Sequence, residues 1–541
     1  MTASIAPAPP QLWPARTVPV PRQLDVGRRS IRYIPPNIRD PRIHLSSVII
    51  TILFIGIGWL GFRLSIAQIL VTMAACAAAE LAIGYRRTGV FAWPASAFQT
   101  ATSTALLFRV IGTENGDYWS MRGWHLFAIV GVAGVLTKYT IRFRTGHVFN
   151  PSNVLLVIAF LVLGSERVEP LDYWWAPFGW PMAAAYAVII VGGLVICGRL
   201  RLLGLSAALW ISLAAGLGLL ALADHTMTTR YSLVPISGAH FWWIIMTSPE
   251  IMIFMFFMIT DPRTVPDGRV ARVAYGLAIG VVSALCIAPW QTEFGAKVGL
   301  LSGLVLVCMS RPLFDRYLPA VGSADDDPVR FVRRAFGRRR VVASATVSIV
   351  FLTALITVAG LPARVTDATA PPELAQVSAT PVDPATFPDV MIDPEVAGIS
   401  AGLATQDGAR DLVAALAWNL QVEAEAVAHG DRGLLPAVTD GAVLHDLEAV
   451  IDANGPTGAR TVPSYTFDTL ALTIVFPGGF QRGPNAGVRA TGTVEEVVVS
   501  ADGAVIERSE RPFESTFALR VTTDGRWLHT TMLPYDVPGG G

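Results

Sequence analysis

The chain has 541 residues, of which 52% are hydrophobic and only 15% are charged. The apolar residues occur in blocks of about 20, the length that crosses the hydrocarbon core of a bilayer, so this composition excludes an ordinary soluble protein. The zero net charge conceals an asymmetry, because residues 1–362 contain 31 Lys and Arg against 17 Asp and Glu, whereas residues 363–541 contain 10 against 24. We predict a polytopic membrane domain followed by an acidic soluble domain, and we expect no nucleic-acid partner.

The first 45 residues are rich in Pro and Arg and contain no apolar segment of the kind found in a cleavable signal peptide. We predict that residues 1–45 form a disordered, basic cytoplasmic arm. The arginines that precede the first apolar segment should keep this end of the chain inside the cell.

Eleven apolar segments follow, each close to the ~20 residues needed to span a bilayer. They lie at 46–64, 66–84, 92–111, 124–141, 147–164, 180–198, 201–223, 240–260, 270–288, 294–312 and 343–362. Ten of them form the predicted transmembrane domain (46–312), and the eleventh (343–362) follows a basic cytoplasmic loop (313–342). Arginine-rich loops alternate with acidic or mixed loops, which agrees with this count. We therefore expect a multi-pass protein of the cell membrane with a cytoplasmic N-terminus and an extracytoplasmic C-terminal domain.

The stretch from Pro235 to Pro266 is our first choice for the functional centre. It contains the tetrad Ser237-Gly238-Ala239-His240, an apolar span that Pro249-Glu250 interrupts, and Asp261-Pro262 at the far end. A proline inside a helical span removes a backbone donor, and a carboxylate is costly in hydrocarbon. Both are expected where the backbone lines a site, so Glu250 is a candidate for an ion or proton pathway. Pro249, Asp261 and Pro262 are expected to be structural, the last two as the end of the span.

The first ten spans divide into two sets of five, an odd number that would give the halves opposite orientations. Span three opens with Trp93-Pro94, and span eight, its positional counterpart, contains Ser248-Pro249. Interrupted helices at matching positions indicate a binding site at an inverted-repeat interface. Two ordinary proline kinks are the alternative interpretation.

The acidic C-terminal part begins with a Pro-, Ala- and Thr-rich stretch (363–400), which predicts a linker. Residues 401–541 show two helical patterns and then alternating strands bounded by Asp502-Gly503 and Asp524-Gly525, which are hairpin signals. Helices followed by a curved antiparallel sheet resemble the fold of nuclear transport factor 2. We expect an extracytoplasmic α+β domain, and a likeness at the level of the fold names no ligand.

Three motifs in the membrane domain support a family resemblance. They are Arg144-Thr-Gly-His-Val-Phe-Asn150-Pro151-Ser152-Asn153, Ser237-Gly238-Ala239, and Phe257-Met-Ile-Thr260-Asp261-Pro262-Arg263-Thr264-Val265-Pro266. Together they resemble the NqrB/RnfD family, the membrane flavoprotein subunits of sodium-pumping NADH:quinone oxidoreductase and of Rnf complexes. Over residues 46–312 the resemblance implies a ten-helix inverted-repeat core and electron transport through membrane-bound flavin. The extra span and acidic tail are similar to a divergent branch named UnbU, which is associated with enediyne biosynthesis.

One residue departs from the family motif. The family tetrad ends in a Thr whose hydroxyl carries FMN through a phosphoester, and His240 stands in that place. Because an imidazole does not form that linkage, we do not expect covalent FMN, and any FMN should be bound noncovalently. Ser237, Gly238, Ala239 and His240 are then the candidate cofactor-binding residues, since a helix N-terminus binds phosphate. The alternative is that the site has lost its flavin.

Other polar residues of the spans have simpler interpretations. Asn150 and Asn153 are further candidates for cofactor binding, with helix capping or interhelical hydrogen bonding as the alternative. Arg109 and Lys138 are expected to extend towards the membrane surface. The four cysteines are expected to be buried thiols rather than cluster ligands. No metal-site, Walker or dinucleotide-binding motif is evident, so we predict no bound metal.

Two classes of function therefore remain open. The first is a redox subunit, a component of a membrane oxidoreductase that passes electrons across the membrane to partner proteins and couples this to cation movement. The second is a non-redox membrane transporter or scaffold for natural-product biosynthesis. The lipid bilayer is a partner in both.

Overall fold

The computed structural model describes residues 21–536 except 27–28, 39, 144–145, 171–177, 365–369, 455–457, 480–481 and 501–503. The chain divides into two compact units. Unit 1 comprises residues 1–225 and 237–364, and unit 2 comprises residues 226–236 and 365–541. Arg144 and Thr145 of the first motif, and the predicted Asp502-Gly503 turn, lie outside the described residues.

Unit 1 is built from helices. The first seven are α1 (Pro41–Trp59), α2 (Ile66–Thr88), α3 (Ala95–Leu107), α4 (Trp124–Thr140), α5 (Pro151–Leu163), α6 (Trp180–Leu200) and α7 (Leu203–Leu222). The others are α8 (Gly238–Thr247), α9 (Pro249–Ile253, continued by a π-helix at Phe254–Met258), α10 (Arg269–Ile287), α11 (Glu293–Met309), α12 (Arg311–Tyr317), α13 (Pro328–Phe336) and α14 (Arg339–Ala359), which a 3₁₀ turn (Leu361–Ala363) follows.

Six helices among the described residues are long and apolar enough to cross a membrane: α1, α2, α6, α7, α10 and α14. The number rises to eight if the bent pairs α8–α9 and α11–α12 each form one span. Helices α3, α4 and α5 are shorter, with 13, 17 and 13 residues. The prediction of an α-helical membrane protein is confirmed, and each of the eleven predicted spans overlaps a helix. The ten-helix inverted repeat stays a prediction.

Short strands connect the helices of unit 1. They are β1 (Arg22–Val26), β2 (Arg29–Ile34), β3 (Phe91–Ala92), β4 (Phe108–Val110), β5 (Arg142–Phe143), β6 (Gly146–His147) and β7 (Val168–Pro170). Strands β1 and β2 pair antiparallel, and β2 pairs parallel with β3. The prediction that residues 1–45 are disordered is therefore wrong for 22–26 and 29–34, because β3 supplies backbone partners for β2, and for 41–45, because α1 begins at Pro41. Residues 1–20 lie outside the described residues.

Caps and close packing fix the helices of unit 1. Ser65 and Gln68 form a reciprocal capping box at the start of α2, where each side chain bonds to the backbone N–H of the other residue. Helices α7, α10 and α11 approach closely at glycines, since a Cβ at Gly280 would overlap Ser212 and one at Gly303 would overlap Ser283. Small residues at such crossings are typical of helices that pack in a membrane.

Unit 2 combines helices with one large sheet. Its elements are β8 (Thr226–Thr229), β9 (Ser232–Ser237, in which Ser237 begins the return to unit 1), β10 (Met391–Ile392), α15 (Pro394–Ile399), α16 (Gln406–His429), α17 (Gly441–Asn454), β11 (Arg460–Val475), β12 (Asn485–Val499), β13 (Val505–Val521) and β14 (Trp527–Pro534). Strands β10 to β14 lie side by side in chain order. All neighbours pair antiparallel except β10 and β11.

The core of unit 2 lies between α16 and the sheet. Leu412, Leu416 and Leu420 recur at helical spacing and pack with sheet residues such as Phe517. The turn at Asp524-Gly525 joins β13 to β14, and Gly525 takes the positive φ of +87° that such a turn requires. The predicted α+β organisation is confirmed, while the resemblance to nuclear transport factor 2 stays a prediction.

Two boundaries of unit 2 differ from the predicted ones. The predicted linker 363–400 contains β10 and α15, and Val390 and Val396 are buried in the core, with exposed fractions of 1% and 0%. The linker prediction is therefore wrong for this part. Leu233, from the β8–β9 hairpin, belongs to the same core. The domain thus includes a segment that lies between α7 and α8 in the chain.

Candidate functional site

The predicted tetrad lies where β9 ends and α8 begins. Ser237 is in the N-cap position, but its side chain makes no capping hydrogen bond. Gly238 has φ of +55°, and a Cβ placed there would meet no atom within 4 Å. Ala239 and His240 are exposed. The backbone at the start of α8 is therefore open to an approaching group, and the N-terminal end of a helix favours an anion.

Asn150 and Asn153 have different roles from the tetrad. Asn150 is buried, caps α5 through the N–H of Ser152, and donates from Nδ2 to the carbonyl of Met258 over 2.8 Å. Asn153 donates from Nδ2 to the carbonyl of Leu301 over 3.0 Å. Gly238 begins α8, and Met258 ends the π-helix that continues α9. At the rise of a helix, their separation of 20 residues corresponds to about 30 Å along the chain. The six candidate cofactor residues therefore lie in two separate places, and the asparagines connect helices.

The first and third motifs contact each other beside Asn150. His147 on β6 donates from Nε2 to Oδ2 of Asp261 over 2.9 Å. Asp261 Oδ1 accepts the N–H of Arg263, and Arg311 on α12 donates to the carbonyl of Arg263. Burial by itself would raise the pKa of Asp261, but the hydrogen bond and charge of His147, together with Arg263, lower the pKa below its ordinary value. Asp261 therefore acts as an ionised structural link, and Pro262 follows it in the loop.

The eighth predicted span is broken where the sequence indicated. Ser248 caps α9 by accepting the N–H of Ile251, and Pro249 occupies the first turn, where its missing N–H costs nothing. The axes of α8 and the following segment differ by 45°. A π-helix at Phe254–Met258 widens the end of the span, and such turns are frequent at functional sites.

Glu250, in the first turn of α9, belongs to a buried ionic cluster. Nζ of Lys297 on α11 lies 2.6 Å from Oε1 of Glu293, one turn earlier, and 3.5 Å from Oε1 of Glu250. All three side chains are at least 93% buried. Oε2 of Glu250 is buried and receives no hydrogen bond from the residues that the structure describes. Lys297 thus faces the carboxylates of Glu250 and Glu293 in the interior of unit 1.

Arg109 and Glu169 complete what we call the ionic cluster (Arg109, Glu169, Glu250, Glu293 and Lys297). Arg109 on β4 and Glu169 on β7 lie directly opposite each other in the antiparallel pair and form an ion pair. Arg109 lies close enough to Lys297 for the two positive charges to interact. The prediction that Arg109 extends to the membrane surface is wrong, because its side chain is only 5% exposed.

Aromatic side chains lie next to the ionic cluster in the chain and in space. The ring of Phe160 on α5 lies 5.9 Å from the rings of Phe108 and Phe294, the neighbours of Arg109 and Glu293. An apolar environment strengthens the attraction between opposite charges and makes an excess charge costly. With every member ionised, the cluster has three negative and two positive charges. It can therefore accept one further positive charge, either as a proton or as a cation.

A second buried ion pair lies elsewhere in unit 1. Nζ of Lys138 donates to the carbonyl and Oγ of Ser96 over 3.0 and 2.6 Å and lies 3.6 Å from Oε2 of Glu80. The side chain of Lys138 is 9% exposed, so the prediction that it extends to the membrane surface is also wrong. Ser96 belongs to the first turn of α3, the helix that Pro94 precedes.

Sequence reasoning singled out Glu250 and Arg109 but missed Glu169, Glu293 and Lys297. Glu169 falls in a loop that looked merely acidic. Lys297 lies inside the predicted tenth span, four residues after Glu293, and an opposite pair at this spacing shares one helix face. A lysine in an apolar span is rare and needs a partner, so this pair was detectable.

The cysteines are free and lie on four helices, α2, α6, α10 and α11. Within the described residues, no group of three or more His, Cys, Asp or Glu side chains could hold a metal ion.

Comparison with known proteins gives no family assignment. No family model matches the chain, and a search of curated proteins finds no similar protein. The candidate site therefore rests on its own residues and geometry.

Proposed function

We propose that the protein is an integral membrane redox subunit that moves electrons across the membrane through flavin and couples this to cation movement at the ionic cluster. The observation that carries the proposal is Glu250: a carboxylate with an unpartnered buried oxygen, in the first turn after a break in a membrane span. Ionisable groups inside membrane proteins mark ion and proton pathways. The ionic cluster has one carboxylate in excess of its cations, which supports uptake of one positive charge.

The electron-carrying part of the proposal rests on the tetrad and on the resemblance to the NqrB/RnfD family. Ser237, Gly238 and the first N–H groups of α8 would hold the phosphate of a noncovalent FMN, because Gly238 leaves the backbone open to close approach. FMN would supply one- and two-electron transfer. His240 is exposed beside these groups, where an imidazolium would add attraction for the phosphate.

Topology forms part of the same proposal. We propose that the N-terminus and the 313–342 loop are cytoplasmic and that residues 363–541 are extracytoplasmic. The positive-inside pattern of the loops supports this orientation. The flavin phosphate would then lie on the outer side, at the start of α8.

A non-redox membrane transporter or scaffold is the second candidate, and a specific observation favours it. Position 240 holds an imidazole where the family carries a hydroxyl, so the covalent anchor of the flavin is absent from the motif. The ionic cluster could then serve cation movement without any electron transfer.

The visible absorption spectrum of the purified full-length protein tests the proposal. We expect a flavin spectrum, with the flavin released on denaturation rather than retained on a denaturing gel. Gly238→Val should abolish flavin binding, whereas Gly322→Val, at another positive-φ glycine with open space around it, should retain it. Absence of flavin from both the wild type and His240→Thr, prepared with the flavin transferase that the family linkage requires, would contradict the redox proposal and favour the transporter.

A further inference from the structure

Helix α13 lies between α12 and α14 in the chain. Its N-terminal end is bonded to α10 and its C-terminal end leads into α14, and both of these helices are long enough to cross a membrane. Just before α13, Oδ1 of Asp326 accepts the N–H of Val270 in the first turn of α10 over 3.1 Å. Asp327 caps α13 by accepting the N–H of Arg330 over 2.9 Å. Only two residues separate Phe336, the last of α13, from the first residue of α14. The helix therefore lies at the level where two apolar helices begin, which is a membrane boundary.

The side chains of α13 divide into three faces. Phe331 and Ala335 are half-buried against unit 1. Val329, Val332 and Phe336 share a second face, since they are spaced by three and four residues, and they are 69%, 49% and 71% exposed. Exposed apolar groups in a continuous row mark an interaction surface.

The third face and the following turn are strongly basic. Arg330, Arg333 and Arg334 are exposed on α13, and Arg338, Arg339 and Arg340 follow at the junction with α14. Asp325 pairs with Arg334. Six arginines within eleven residues far exceed what the three preceding aspartates neutralise. This excess of charge favours an anionic partner.

The surroundings identify that partner as lipid. Helix α14 has an apolar surface that is largely uncovered by protein, with Val347, Ile349 and Phe351 between 63% and 68% exposed. Acyl chains must cover such a helix. Because only two residues separate α13 from α14, the apolar row of α13 would reach the same acyl chains, and its arginines would lie at the level of the headgroups.

We propose that α13 lies in the plane of the membrane and binds anionic phospholipid headgroups. The basic face contacts the phosphates, and Val329, Val332 and Phe336 insert among the outer parts of the acyl chains. Basic amphipathic helices bind bilayers through this combination of apolar burial and attraction to anionic lipids. The inference does not depend on flavin or on the ionic cluster.

Hydrogen exchange of the full-length protein in nanodiscs tests the proposal. Backbone amides of residues 328–340 should exchange roughly tenfold more slowly in phosphatidylcholine mixed with phosphatidylglycerol than in phosphatidylcholine alone, since each arginine near an anionic surface adds attraction. High salt should reduce the difference, because salt screens it. Equal protection in the two lipids would overturn the proposal.

Two variants separate the faces, and one controls for net charge. Arg330→Gln/Arg333→Gln/Arg334→Gln should remove the lipid dependence, whereas Val329→Ser/Val332→Ser/Phe336→Ser should lose protection in both lipids. The control Arg86→Gln/Arg199→Gln/Arg316→Gln removes three exposed arginines from other helices and should keep the lipid dependence. If this control loses the dependence as fully as the α13 variant, the effect belongs to overall charge and the proposal fails. Since all these side chains are exposed, the variants should still fold.

Discussion

Nε2 of His147 lies 2.9 Å from Oδ2 of Asp261, although 114 residues separate them in the chain. This contact joins the two longest motifs on which the resemblance to the NqrB/RnfD family rests. Asn150, three residues after His147, bonds to the carbonyl of Met258, three residues before Asp261. Through these two hydrogen bonds, the motifs connect β6 and α5 to the end of the broken span.

The His147–Asp261 pair should stabilise unit 1 at neutral pH. His147→Ala and Asp261→Asn should each lower the melting temperature, and a double-mutant cycle should give a coupling of roughly 1–3 kcal/mol. Because the folded protein holds the pKa of Asp261 below its ordinary value of 3.8, this stability is complete above that value and lost as the pH falls below it. Additive effects of the two substitutions would contradict the link.

His225 should make unit 1 sensitive to acid. Its ring packs 4.8 Å from that of Phe241, is 1% exposed, and finds no partner for either nitrogen among the described residues. Burial lowers the pKa of His225 from 6.5 to about 4. The neutral ring is favoured in the folded state, so stability is complete above pH 6.5 and decreases as the pH falls towards 4.

His225→Leu should therefore resist acid better than the wild type. Between pH 8 and pH 5, the free energy of unfolding of the wild type should fall by roughly 2 kcal/mol more than that of His225→Leu. Thermal unfolding at the two pH values measures the difference. His445→Gln is the matched control, because the side chain of His445 is 80% exposed, and it should behave as the wild type does. Equal acid losses in His225→Leu and the wild type would refute this account.

The β8–β9 hairpin should contribute to the stability of unit 2. Leu233 is buried in its core, whereas Val234, the next residue of the strand, is 43% exposed. Leu233→Ala should destabilise unit 2 by about 2–4 kcal/mol and Val234→Ala by much less. The rate at which a protease cleaves residues 370–536 in the full-length protein measures the effect. Equal cleavage rates for the two variants would show that the hairpin does not stabilise the core of unit 2.

Sequence patterns predicted the helices well because a membrane span has a strong and simple signal. The break at Ser248-Pro249 was predictable for the same reason, since proline has few tolerated positions in a helix. Residues 384–399 were harder. Their Pro-rich composition is typical of a linker, but β11 offers an edge to Met391 and Ile392, and Val390 and Val396 fill the core. The structure of this segment depends on contacts with residues distant in the chain, such as those of β11, and local composition carries no information about these contacts.

The ionic cluster was only half predictable. Glu250 and Arg109 stood out as charges in apolar segments, but Glu169 is ordinary in a loop until β4 places Arg109 opposite it. The pairing of Glu250 with Lys297 likewise depends on how α9 and α11 pack. The separation of Asn150 from the tetrad follows from the length of span eight and could have been derived from it.

The charges of the ionic cluster should not be equally replaceable. Lys297→Met leaves two carboxylates without their cation and should cost about 3–5 kcal/mol of stability. Glu250→Gln removes the excess negative charge and should be neutral or stabilising, and under the proposed function it should abolish cation uptake. Melting temperatures of the two variants, beside the exposed control Glu114→Gln, provide the test. A large destabilisation by Glu250→Gln would show that Glu250 serves as a structural partner of Lys297.

Transmembrane electron transfer is the most direct measurement of the proposed function. The full-length protein, supplied with FMN, is reconstituted into sealed vesicles that contain trapped ferricyanide, and dithionite is added outside. We predict that the trapped ferricyanide is reduced faster than in empty vesicles or in vesicles with Gly238→Val, and at the wild-type rate with Gly322→Val. Reduction at the rate of empty vesicles would contradict the claim that this protein carries electrons across the membrane.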